Sequence, residues 1–140
     1  MQVTVAFNHF GQGLVQRMPR CRWGFIMSST MIILIGRCTP LVAACTLPSS
    51  GQGNRFIAPH NAAAKEVTKR DYATQDTWKH WTWRSEGDLM MNGAFFVPSG
   101  SPLQKRYGRH DMIKAKPGTY ASRLTPLLLA HLTAEPEKPC

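Results

Sequence analysis

Val3, Val5 and Phe7 alternate with Thr4, Ala6 and Asn8, a period of two that predicts a strand with one buried face over the first eight residues. Gly11 and Gly13 break it. The run Arg17-Met18-Pro19-Arg20-Cys21-Arg22 follows, and Pro19 keeps its backbone extended, so Arg17 and Arg22 are presented from a strand end or a loop. Residues 23–50 then lose any clear period. They are rich in Ile, Ser, Thr and Cys and hold no acidic side chain. Their most apolar run, from Phe25 to Ile35 with Leu41 to Ala44 beyond it, is interrupted by Arg37 and Pro40. It falls short of the roughly 20 apolar residues that a membrane span needs.

From Gly51 onward the patterning is conventional. Arg55-Phe56-Ile57-Ala58 reads as a short strand ended by Pro59, Ala62 to Lys69 as a helical turn or a loop, and Asp71 to Asp76 as polar and exposed. Trp78, Trp81 and Trp83, with Leu89, Met90, Met91, Phe95 and Phe96, form the most aromatic and apolar stretch of the chain. Packing against another layer of the fold is its first reading, and stacking on bases or sugars the second. After Pro98-Ser99-Gly100 the chain is basic and punctuated by proline, and residues 126–140 read as an exposed tail.

At 140 residues the chain suits one domain with a modest core. Its formal net charge of +9 favours an anionic partner: nucleic acid, an acidic membrane surface or an acidic polysaccharide. The first Lys is Lys65 and the first acidic residue Glu66, so the preceding positive charge comes from arginine alone. Cys21, Cys38, Cys45 and Cys140 show no metal or redox spacing, and His9, His60, His80 and His110 read as surface or hydrogen-bonded residues. Met1 runs straight into the first strand pattern, with no secretory signal pattern ahead of it. Trp78-Lys79-His80-Trp81-Thr82-Trp83-Arg84 interleaves aromatic and basic side chains, as nucleic-acid binders do, yet no nucleic-acid motif accompanies it.

Longer motifs narrow the choice. MQVTVAFNHFGQGLVQRMPRCR closely resembles the segment of the plant-type pectate lyases (polysaccharide lyase family one) that carries their catalytic arginine. GNRFIAPHNAAAKEVTKR and TWKHWTWRSEGDLMMNGAFFVPSG resemble their C-terminal part, and DMIKAKPGTYASRLT a less common ending within the family. The resemblance implies a right-handed parallel β-helix over residues 1–125, an incomplete solenoid in which each coil buries its faces against its neighbours. It also implies eliminative cleavage of de-esterified pectin, with Arg17, the first arginine of R-x-P-x-x-R, as the base that takes the C5 proton. Arg22 binds the substrate carboxylate in this scheme. Calcium is the implied cofactor, acidifying the C5 proton. The family draws its calcium ligands and a substrate lysine from coils that precede the matched segment, so this chain is expected to be a C-terminal fragment, inactive alone and without metal ligands of its own.

Where the family continues after R-x-P-x-x-R-x-G with a segment close to HVVNNDYTHWEMYAIGGS, the chain reads WGFIMSSTMIILIGRCTPLVAAC. The two become related when each codon takes the third base of one residue and the first two of the next. Met27 with Ser28 then permits Val, Ser29 with Thr30 permits Asn, and Met31 with Ile32 permits only Asp. Ile32 to Gly36 permits Tyr, Thr, His and Trp, and the register returns at GQGNRF. Ala130 to Glu137 permits a similar reading. Residues 23–50 are therefore expected to be out of frame and to cost a coil its inward and outward alternation. The remaining expectations are a polygalacturonate or pectin partner, neither nucleic acid nor membrane, a monomer, and a secreted, cell-wall location. A non-catalytic remnant, or a basic protein that binds anions or nucleic acid, is the alternative.

Overall fold

The computed structural model describes residues 2–11, 14, 25–34, 49–68, 70, 73–101 and 113–125. Eight strands make up the frame: β1 (Gln2–Ala6), β2 (His9–Phe10), β3 (Phe25–Ser29), β4 (Ile32–Leu34), β5 (Ser49–Gln52), β6 (Arg55–Ile57), β7 (Trp83–Glu86) and β8 (Leu89–Met91). They form two four-stranded sheets, ordered β1-β3-β5-β7 and β2-β4-β6-β8, and every neighbouring pair is parallel. Each coil contributes one strand to each sheet and then turns back beneath itself. The chain is thus a parallel β-helix of four described coils, an incomplete solenoid. A third side is marked between coils three and four by a parallel bridge from Glu66 to Phe95.

Register sets the coil length. Gln2 faces Phe25 and Ile26 faces Ser49, both steps of 23 residues, while Ser49 faces Trp83, a step of 34. The longer third coil holds a 3-10 turn at Ala62–Ala64, with Asn61 accepting from the Ala63 N–H, and the short helix α1 (Gln75–Trp78). A further 3-10 turn, Gly118–Tyr120, leads into α2 (Ala121–Leu124).

The interior follows from this stacking. Phe10, Ile33, Phe56 and Met90 occupy one register column of the second sheet, and all four belong to or pack on the core. Trp83 of β7 and Val5 of β1 meet it from the first sheet. Burying a side chain the size of Phe56, which is 1% exposed, is worth about 1.5–3 kcal/mol. Trp81 and Trp83 lie in the core with their ring centroids 6.0 Å apart, and Trp78 and Phe96 pack against it. The aromatic stretch is therefore packing, apart from Phe95, which is 47% exposed.

One sequence expectation is corrected: the alternation of the first strand does not bury Val3 or Phe7. Val3 is 37% exposed, β1 stops at Ala6, and Phe7 takes a left-handed φ of 57° at the corner with its ring half exposed. Ser49–Gln52 forms β5 although Ser-Ser-Gly-Gln carries no strand pattern, because β3 and β7 pair with it on both sides. Residues 25–34 supply the second strand of each sheet, without the inward and outward alternation, as expected of this segment. Ile26, Met27, Ser28 and Ser29 are all buried, so burial on both faces replaces alternation there.

The end of the stack is closed off. Ser99 pairs antiparallel with Trp83 on the free edge of β7, donating at 3.2 Å and accepting at 3.1 Å. The 113–118 segment crosses the corners of coils three and four. There the Gly118 N–H donates to Gly87 O at 2.8 Å, and Lys116 O packs against Gly53 so closely that no Cβ fits.

Candidate functional site

The candidate arginines lie on the connection from β2, which ends at Phe10, to β3, which starts at Phe25 on the next coil. Arg17 and Arg22 fall outside the described residues, as do the four cysteines, His110 and residues 126–140. Both ends of the connection are anchored. Phe10 pairs with Ile33, and Gln2 pairs with Phe25, so neighbouring coils hold the two ends in adjacent layers.

The turn from the first sheet to the second repeats at each coil as a corner of two residues: Phe7-Asn8, Thr30-Met31, Gly53-Asn54 and Gly87-Asp88. The first of each pair has a left-handed backbone, with φ of 57°, 51°, 65° and 65°. In coils three and four the second joins neighbouring coils. Asn54, fully buried, accepts from the Met31 N–H at 3.1 Å through Oδ1 and donates through Nδ2 to Ser28 O at 3.1 Å and to Asp88 Oδ1 at 3.1 Å. Asp88 Oδ1 also accepts from the Asn54 N–H at 2.6 Å, and Asp88 Oδ2 from the Ser85 hydroxyl at 2.7 Å. Gly51 makes room for this carboxylate, since a Cβ there would sit 2.6 Å from Asp88 Oδ2. Burial pushes the Asp88 carboxyl up to about 6, against the hydrogen bonds from Ser85 and Asn54, which hold it down, and with a smaller upward push from Glu86.

A second polar cluster ties the long third coil to the fourth. The Arg70 guanidinium lies between the rings of Trp78 and Trp83, 4.5 Å and 4.6 Å from their centroids. It donates to Val97 O at 2.6 Å and to Ser99 Oγ at 3.1 Å. Burial lowers its pKa from the ordinary arginine value, and Glu66 opposes that shift. This cation is a latch between coils, with both faces occupied by the protein's own rings.

Calcium takes six to eight oxygen ligands, several of them carboxylates. The described carboxylates are spoken for separately. Glu66 accepts from Thr68, Asp76 from Lys79, Glu86 from Gln52, and Asp88 lies inside the corner. Among the described residues, no three His, Cys, Asp or Glu side chains gather at a common point. These residues do not fit a calcium centre. No helix among them is long and apolar enough to cross a membrane.

Asn54, Asp88 and Arg70 are not singled out by any motif in the chain. Asn8 and Asn54 carry the one available signal, since each precedes a strand and they stand two coil steps of 23 residues apart.

No family model matches the chain. It is 55% identical over 132 residues to a pectate lyase of Lilium longiflorum, 48% to a probable pectate lyase of Arabidopsis thaliana and 44% to a pectate lyase of Zinnia elegans. Each match covers 89% of this chain but only 29%, 30% and 31% of the respective relative, so the chain spans under a third of their length. Its fold matches the 1.7 Å crystal structure of jun a 1, the major allergen from cedar pollen, with a TM-score of 0.71 and 35% identity. That match covers 89% of this chain and 37% of the allergen. With the coil stack and the motif order, these matches make the chain similar to pectate lyases over a segment that is under a third of their length.

Proposed function

We propose that the chain presents the substrate-facing arginines of a pectate lyase on the connection between its first two coils, and that the 140 residues alone bind de-esterified pectin without cleaving it. The observation that carries this reading is the R-x-P-x-x-R motif from Arg17 to Arg22, set between two stacked strands within a stretch that matches curated pectate lyases at 44–55% identity.

In the assigned roles, Arg22 pairs its guanidinium with a galacturonate carboxylate, using the two-pronged geometry that arginine offers and lysine lacks. Arg17, in its neutral form, takes the C5 proton. The C5–H electron pair becomes the C4=C5 double bond, and the bond from C4 to the leaving oxygen breaks. Guanidinium is protonated in water, so this step needs surroundings that stabilise the neutral base. Calcium, which the family resemblance implies, finds no ligand set among the described carboxylates, and no step is routed through it here. That mismatch is the reason for expecting binding without turnover. The setting consistent with the family is the cell wall, reached by secretion, and the chain acts as a monomer.

Purified chain, polygalacturonate and Ca²⁺, followed by the ultraviolet absorbance of the unsaturated product, tests the non-cleaving half. The expected signal is background; calcium-dependent absorbance that vanishes in Arg17→Ala overturns it. Binding is tested by sedimentation with polygalacturonate and with single-stranded DNA across a salt series. Preference for polygalacturonate that weakens in Arg22→Ala supports the reading. Equal, salt-sensitive binding to both polymers reduces it to the +9 charge, the basic-protein alternative.

A further inference from the structure

The chain holds four asparagines, and Asn92 alone is followed by a glycine. Asn92-Gly93 makes the tight turn that leaves β8. Both residues have a left-handed backbone, with φ of 56° and 75°, and the Ala94 N–H donates to Met91 O at 3.1 Å across them. Two positive φ values in succession are what Asn-Gly accepts most readily. Both residues are exposed, and a Cβ built on Gly93 would meet nothing nearer than Lys65 Cδ at 3.9 Å, so water reaches this peptide unit from outside. Among the described residues, no acceptor takes the Gly93 N–H.

Coil three holds both the side chain and the carbonyl of Asn92. Its Nδ2 donates to Ala58 O at 2.7 Å. Its backbone O accepts from Lys65 Nζ at 2.8 Å, and the same ammonium donates to Pro59 O at 2.6 Å. Lys65 is therefore bonded to the oxygen of the peptide group whose nitrogen carries the Gly93 hydrogen. When that nitrogen loses its proton, the negative charge is shared with the carbonyl oxygen, and an ammonium 2.8 Å away stabilises it. The bond to Ala58 O acts in the opposite sense, since the side-chain amide must leave it before its carbon can be attacked.

We propose that Asn92-Gly93 is a site of self-modification, at which Lys65 promotes loss of the Asn92 amide by attack from the chain's own backbone. The deprotonated Gly93 nitrogen attacks Asn92 Cγ and closes a cyclic imide. The Cγ–Nδ2 bond breaks, and the nitrogen leaves as ammonia, taking up the proton that Gly93 gave. One water then opens the imide: cleavage at Cγ leaves an aspartyl residue at position 92, and cleavage at the backbone carbon an isoaspartyl one. Either product carries a carboxylate where an amide donor stood, so the bond to Ala58 O is lost and the formal net charge falls by one from +9. The inference is independent of the proposed substrate, since none of these residues lies on the arginine-bearing connection.

The test incubates the full chain at mildly alkaline pH and follows each asparagine peptide by mass spectrometry. Hydrogen exchange at the Gly93 amide is measured in parallel, because base-catalysed exchange passes through the same deprotonated nitrogen. Asn92 is expected to convert at least about tenfold faster than Asn8, Asn54 or Asn61, whose following residues His9, Arg55 and Ala62 bear side chains that crowd the attacking nitrogen. Lys65→Met is expected to slow both Asn92 conversion and Gly93 exchange about threefold or more. A lysine that only tied the coils together gives the opposite sign, since its loss frees the turn and speeds both. Lys65→Gln, neutral but polar, carries the same test where Lys65→Met does not fold. Asn92 that converts no faster than the other asparagines, or neutral Lys65 variants that convert as fast as the wild type or faster, overturn the proposal.

Discussion

Asp88 offers the most direct test of how the coils are joined, because its carboxyl, partly buried at the corner, accepts from Asn54 of the neighbouring coil. Its pKa is raised from an ordinary 3.8 to about 6, chiefly by burial. A raised carboxyl pKa means that the folded state holds the proton more tightly than the unfolded chain. The stability linked to Asp88 is therefore fully present below about pH 4 and is lost as pH rises through about 6. The difference of about two pKa units corresponds to about 3 kcal/mol between those limits. Asp88→Asn keeps the oxygen that accepts from the Asn54 N–H and removes the titration. Denaturant unfolding followed by tryptophan fluorescence, with Trp81 and Trp83 as buried reporters, should be run from pH 4 to pH 8 on both proteins. Relative to the variant, the wild-type chain should lose about 3 kcal/mol across that range. A difference that stays flat, or a wild type that gains on the variant as pH rises, refutes the argument that burial outweighs the three hydrogen bonds at this carboxyl.

Asn54→Ala strands the Met31 N–H and Ser28 O inside the stack and should cost about 3–5 kcal/mol, read from the denaturant midpoint; a loss below about 1 kcal/mol shows these bonds to be dispensable. Arg70→Ala removes a cation held between two tryptophans and bonded to Val97 O and Ser99 Oγ, and should cost about 2–4 kcal/mol. Arg70→Lys should recover less than half of that, since an ammonium cannot stack as the planar guanidinium does. Gly53→Ala places a Cβ against Lys116 O at a left-handed φ, so limited proteolysis should cut the 113–125 segment faster in the variant while the Trp83 environment stays native.

The resemblance of whole segments to the pectate lyases implied the β-helix, whereas period and turn residues by themselves mark only single strands. Arg55 to Ile57, ended by Pro59, and the alternation from Val3 to Val5 were visible as strands for that reason. Ser49–Gln52 was not, since Ser-Ser-Gly-Gln has no strand preference and becomes β5 only by pairing with β3 and β7. Arg17 and Arg22 could be named from the resemblance of their motif to the pectate lyases, whereas Asn54, Asp88 and Arg70 could not. Each of those three acts across coils, Asn54 on Met31 23 residues away, Arg70 on Val97 27 residues away and Asp88 on Asn54 34 residues away.

Residues 25–34 mark where local patterning stops being a guide. Read as a string, Phe-Ile-Met-Ser-Ser-Thr-Met-Ile-Ile-Leu has no period and looks incompatible with a half-buried strand. Stacked between coils one and three it is covered by protein above and below, and burial on both faces removes the need for alternation. What the residues do settle locally is the backbone each corner needs: a left-handed turn, easiest where Gly53 and Gly87 supply it. Which residues meet that need from coil to coil is a matter of register, and register exists only once the coils have stacked.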